Sequence, residues 1–73
     1  MELKKSIKKV TLEKLSAGSL FQYEETIALK TEYGTESGAI EAFIVGSGEM
    51  FWGGTNNAKD QRKLKVSKLI LKP

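Results

Sequence analysis

Glycine punctuates this chain, and proline is almost absent from it. Gly18, Gly34, Gly38, Gly46, Gly48, Gly53 and Gly54 fall across the middle of the sequence, whereas the single proline is Pro73. Together with the Glu24-Glu25 pair they separate the runs 20–23, 26–33, 39–45 and 50–52, which have the length of strands rather than of helices. Within 26–33, Ile27, Leu29, Thr31 and Tyr33 alternate with Ala28, Lys30 and Glu32, which predicts a strand with the first set facing inward. Residues 39–45 are rich in β-branched and aromatic side chains, as strands prefer. Gly46-Ser47-Gly48-Glu49 then predicts a hairpin turn into a strand at Met50-Phe51-Trp52. A last strand is expected over 64–72, after a polar stretch at 58–63.

The first ten residues leave strand and short helix both open, since Leu3, Ile7 and Val10 fit a helical stripe. Thr11 is placed to cap one helical turn over 12–15, which Gly18 would stop. Seventy-three residues make one domain, 1–73, with a basic segment at 1–10 and the remainder at 11–72. Four or five short strands in so few residues cannot build an ordinary sandwich, but they can close into a barrel, which removes exposed sheet edges. The expected fold is therefore mainly β, a small barrel of about five short antiparallel strands with at most one short helical turn. Its core would draw on Leu15, Leu20, Phe21, Ile27, Leu29, Ile40, Ala42, Ile44, Phe51, Val66 and Ile70. A core of that size stabilises a fold only marginally, so a homo-oligomer fits the expectation.

The chain has neither cysteine nor histidine. Disulfides, thiolate nucleophiles, imidazole acid–base work and the usual zinc sites are thereby excluded. Gly46-x-Gly48 lacks the following helix or Gly-Lys-Ser/Thr sequence that a phosphate cradle needs. Glu24-Glu25 has no neighbouring acid or base and sits where a turn belongs. No catalytic residue, cofactor or metal is expected, and the chain is read as non-enzymatic. Apolar runs of four residues or fewer argue against a membrane partner.

Charge is distributed unevenly. Residues 1–14 carry five lysines against two glutamates, net +3; residues 15–57 carry Lys30 against six glutamates, net −5; residues 58–73 carry six cations against Asp60, net +5. Two basic ends bracket an acidic middle, and a fold that joins the ends makes a dipolar surface. A polyanion would meet Lys4, Lys5, Lys8, Lys9, Arg62, Lys63, Lys65 and Lys68. Only one arginine is present to supply bidentate phosphate contacts, so nucleic acid is the alternative partner and a protein the leading one. Trp52, Gly53 and Tyr23 are the candidate protein-binding residues. As neighbours on a strand, Phe51 and Trp52 would point to opposite faces, leaving Trp52 outward beside a glycine loop. A third reading has an oligomer holding a small anionic ligand between subunits, lined by Trp52, the Gly53-Gly54 loop and a lysine.

The opening Leu15-Ser16-Ala17-Gly18-Ser19-Leu20-Phe21-Gln22-Tyr23, then Ala28-Leu29-Lys30-Thr31-Glu32-Tyr33, a glycine hairpin and a terminal strand with Val66 resemble small phage-encoded SH3-like barrel proteins. The resemblance spans residues 11–71 loosely and rests on structural motifs, so it transfers no functional residue. It implies that fold and a viral origin, hence a place in the host cytoplasm. That the chain binds or inhibits a host macromolecule is the leading reading because a small chain without catalytic side chains acts through its surface.

Overall fold

The computed structural model describes the backbone of residues 2–72 and the side chains of Lys5 and residues 8–70. It is mainly β, with five antiparallel strands in one sheet: β1 (Glu2–Thr11), β2 (Leu20–Tyr23), β3 (Thr26–Gly34), β4 (Ile40–Ile44) and β5 (Lys65–Lys72). A 3-10 turn, Leu12–Lys14, follows β1, and a short helix, α1 (Ala58–Arg62), precedes β5. The strand order β1-β5-β2-β3-β4 pairs the two basic ends of the chain with each other. Of the first ten residues, open between helix and strand in the sequence, residues 2–10 are strand and Met1 lies outside the described residues. Among the described residues no helix is long and apolar enough to cross a membrane.

The sheet curls so that side chains from both its outer strands, Val10 on β1 and Ile40 and Ile44 on β4, pack on one core. That core holds Leu12, Leu15, Phe21, Ala28, Ala42, Phe51 and Val66. Phe21 and Phe51 meet edge to face at 5.1 Å between ring centroids, an arrangement that suits the ring quadrupoles.

The inward set on β3 is the reverse of the one the alternation predicts. Ala28 and Lys30 are buried, whereas Leu29 is 39% and Tyr33 65% exposed. Ile70 is likewise outside the core, 48% exposed, and Leu20 and Ile27 are half-buried and do not touch the core cluster. The physical reason is width. Ala28 lies opposite Phe21 on one side and Ile44 on the other, and Lys30 lies opposite Ala42, so small side chains leave room for the Phe21–Phe51 pair.

Lys30 earns its buried place through its amine. The Nζ group donates to the backbone carbonyls of Leu12 (2.8 Å), Glu13 (3.2 Å) and Leu15, closing the 3-10 turn onto β3. Three acceptors match the three donors of an ammonium group. Thr11 occupies the cap position but makes no side-chain cap bond, and its buried Oγ1 has no hydrogen-bond partner. The turn is held at its carbonyls by the lysine, and the threonine does not supply the N–H cap that the sequence assigns to it.

Beyond β4, Gly46-Ser47-Gly48-Glu49 turns the chain back as expected, with Gly46 and Gly48 both at positive φ. The return pairs only briefly, through the Phe43↔Met50 bridge and a 2.7 Å bond from Phe51 N–H to the Ala42 carbonyl. Phe51 and Trp52 are therefore not in a strand, which corrects the expectation for 50–52. The polar stretch 58–63 folds into α1 because Asn57 caps it, its Oδ1 accepting from Asp60 N–H at 2.8 Å.

Candidate functional site

Tyr23 closes the end of β2 and is half-buried against Phe51, with ring centroids 5.8 Å apart. Beyond it lies a hollow of about 370 Å³ lined by Tyr23, Glu24, Thr26, Ile44, Phe51, Gly53 and Gly54. The floor is apolar because Phe51 and Ile44 belong to the core or pack against it. Gly53 forms part of the wall at φ 61°, where an added Cβ would stand 2.9 Å from Phe51 Cζ and closer still to Leu64. Glycine is required there both by the backbone angle and by space.

Of the three predicted partner-binding residues, Tyr23 and Gly53 share this hollow. Trp52 does not line it. Phe51 is the buried member of the pair and Trp52 is half-buried, its carbonyl accepting from Thr55 N–H at 3.1 Å and Thr55 Oγ1 at 2.6 Å.

A second depression, about 270 Å³, adjoins the first at Tyr23 and Glu24. Lys5 and Lys9 from β1, Lys65 and Ser67 from β5, and Gln22 from β2 complete its lining. The β1–β5 pairing brings these lysines together although they are some 60 positions apart in sequence, and all three are exposed. Between Lys5 and Lys9 the register with β5 slips, so two lysines four positions apart flank the short Leu69–Ser67 step. Such a concentration of cations beside one aromatic ring is suited to carboxylates or phosphates.

The other predicted cations lie elsewhere. Arg62 donates to the Gly38 carbonyl at 2.6 Å and lines a separate groove with Lys30, Glu13 and Tyr33. Lys63 follows α1 and is exposed, Lys68 is exposed on β5, and Lys8 is exposed on β1. The Lys4 side chain lies outside the described residues. Of the eight-residue set, the cleft thus gathers Lys5, Lys9 and Lys65.

Sequence reasoning missed two buried polar side chains that shape these surfaces, Lys30 and Gln61. Burial pulls the Lys30 amine below its usual pKa of 10.5, and the Glu13 carboxylate acts in the opposite direction. The signal for Lys30 was its place in phase with Ala28, on a face whose other residue is too small to fill a core. No family model matches the chain, and neither curated proteins nor solved structures yield a match.

Proposed function

We propose that this chain is a non-enzymatic binding module that holds an acidic segment of a partner protein at the end of β2. One observation carries the reading: an apolar hollow and a lysine-lined cleft meet at Tyr23 and Glu24. An apolar side chain of the partner enters the hollow against Tyr23 and Phe51, and its carboxylates lie by Lys9 and Lys65. Glu24 at the junction disfavours a continuous run of phosphates, and it offers a polar contact to a peptide backbone. The lack of histidine and cysteine supports a role through surface rather than through chemistry. Resemblance to phage barrels makes a host protein the expected partner.

Nucleic acid is the second reading, favoured by the same three lysines beside an aromatic ring. Amide NMR at low salt separates the two, using an acidic peptide with one leucine or phenylalanine and a single-stranded oligonucleotide. We expect the peptide to shift Gln22, Tyr23, Gly53, Gly54 and Lys65, and Lys65→Glu to weaken it several-fold. A peptide that moves none of these amides overturns the reading. Shifts at Lys9 and Lys65 from the oligonucleotide alone transfer the site to nucleic acid.

A further inference from the structure

The Tyr23 hollow lies at the Thr26 end of β3. At the other end, around Lys30–Gly34, a groove of about 420 Å³ shares no lining residue with that hollow or with the lysine cleft. Four charged side chains line it, Lys30 and Arg62 against Glu13 and Glu32, and the exposed Tyr33 ring and Ile40 supply apolar surface. Its volume is in the range of small-molecule sites.

The two cations differ in what they have left to offer. The Lys30 amine is spent on the structure, because its three donors go to the carbonyls of Leu12, Glu13 and Leu15. Arg62, the single arginine of the chain, donates Nη1 to the Gly38 carbonyl at 2.6 Å. No carboxylate among the described residues pairs with it, although Glu13 and Glu32 line the same groove, and the Glu32 carboxylate has no hydrogen-bond partner among them either.

The guanidinium is also held in place. Gln61, the residue before it on α1, is bound to the backbone of Ile40 and Phe51. Gly38 stands at φ 92° with no side chain in the way, and an added Cβ would lie 2.8 Å from Arg62 Nη1. An arginine fixed in this manner gives up little freedom when the rest of its fork takes a ligand.

Opposite charges that line one groove without pairing suit a ligand that carries both. We propose that the groove binds a free α-amino acid with an apolar or aromatic side chain. Its carboxylate lies on the Arg62 fork, its ammonium group faces the Glu13 and Glu32 carboxylates, and its side chain rests against Tyr33 and Ile40. A planar fork matches a carboxylate with two parallel hydrogen bonds. Two cations and two carboxylates sum to zero, as does the amino acid, whereas a phosphate or a dicarboxylate would bring excess negative charge beside the two glutamates. The site goes beyond the proposed function, which uses none of these residues. With few ligand atoms and an open groove, the Kd is about 1 mM.

Amide NMR with L-phenylalanine as the probe tests the proposal. Saturable shifts are expected at Gly34, Gly38, Ala39, Ile40 and Arg62, with Gln22, Tyr23 and Lys65 unmoved. Phenylalaninamide lacks the carboxylate and N-acetylphenylalanine lacks the ammonium group, so each should bind about tenfold more weakly. Arg62→Gln should weaken L-phenylalanine by a similar factor, and Arg62→Lys should recover only part of the loss, because an ammonium group has no fork. L-Phenylalanine that moves none of the groove amides at ~20 mM overturns the proposal. Equal binding of either analogue overturns it too, N-acetylphenylalanine by reducing the groove to a carboxylate site and phenylalaninamide by reducing it to an ammonium site. Full affinity in a folded Arg62→Gln variant also overturns it. The analogue comparison uses the unaltered chain, so it decides the matter even where Arg62→Gln disturbs the Gly38 turn.

Discussion

The side-chain amide of Gln61 pairs with both backbone groups of Ile40, its Oε1 accepting from the N–H at 2.7 Å and its Nε2 donating to the carbonyl at 2.9 Å. The same Nε2 donates to the Phe51 carbonyl at 2.8 Å. A fully buried glutamine on α1 thereby completes the hydrogen bonding of β4 and of the loop that carries the core phenylalanine. Replacing it with alanine leaves three backbone groups without partners and should cost about 2–3 kcal/mol in urea unfolding. Gln61→Glu should be no milder, because a carboxylate has no donor for the two carbonyls. Hydrogen exchange at Ile40 should accelerate in both variants.

Lys30 provides a second test, and one that depends on pH. Lys30→Met removes the donor from the carbonyls of Leu12, Glu13 and Leu15, and should destabilise the chain by about 1.5–3 kcal/mol at neutral pH. In the folded chain burial disfavours the charged amine, so the unfolded chain holds that proton to higher pH. As pH rises from the lowered folded value toward 10.5, wild type should gain stability relative to Lys30→Met, and the gain should stop above it. Paired urea curves at neutral and alkaline pH measure this. A relative loss over the same window would show that the three carbonyls hold the proton more strongly than burial expels it.

Phe51 and Trp52 should separate clearly on mutation. Phe51 is buried to 1% exposure and touches both Phe21 and Tyr23, so Phe51→Ala should cost about 3–5 kcal/mol, enough to unfold a domain this small. Trp52→Ala should remain folded, since the half-buried indole lies outside the core cluster. Thermal melts of the two variants side by side decide the matter. Because Trp52 does not line the hollow at Tyr23, Trp52→Ala should also leave the amide shifts caused by an acidic peptide unchanged.

The strands were legible in the sequence because turn chemistry is local. Gly18, Gly46 and Gly48 stand at positive φ where the chain reverses, and the Glu24-Glu25 turn places Glu24 at φ 54°. Which face of each strand points inward was less legible, because period-two patterns identify two faces without saying which one a core of limited width accepts. β3 has its larger apolar residues outside because Phe21 and Phe51 already fill the interior. The lysine cleft required the β1–β5 pairing, which no local pattern encodes, although closing the sheet edges into a barrel was expected to bring the two ends together. The hollow was half legible: Trp52 was singled out as an aromatic ring beside a glycine loop, and the structure puts Tyr23 and Gly53 in the hollow but Trp52 outside its lining, because a strand was expected where the chain only bridges once.

The pairing of Glu2 with Lys72 has a kinetic consequence. β1 is an edge strand whose hydrogen-bonded neighbour in the sheet is β5, the last strand of the described chain. Contacts between segments so distant in sequence slow folding, since a long loop must close before they form. Until then β1 waits as an extended segment, and its lysines at 4, 5, 8 and 9 keep it solvated and repel other copies of itself. The lysines of β1 thus keep that strand solvated until β5 arrives, after which Lys5 and Lys9 form one wall of the lysine-lined cleft.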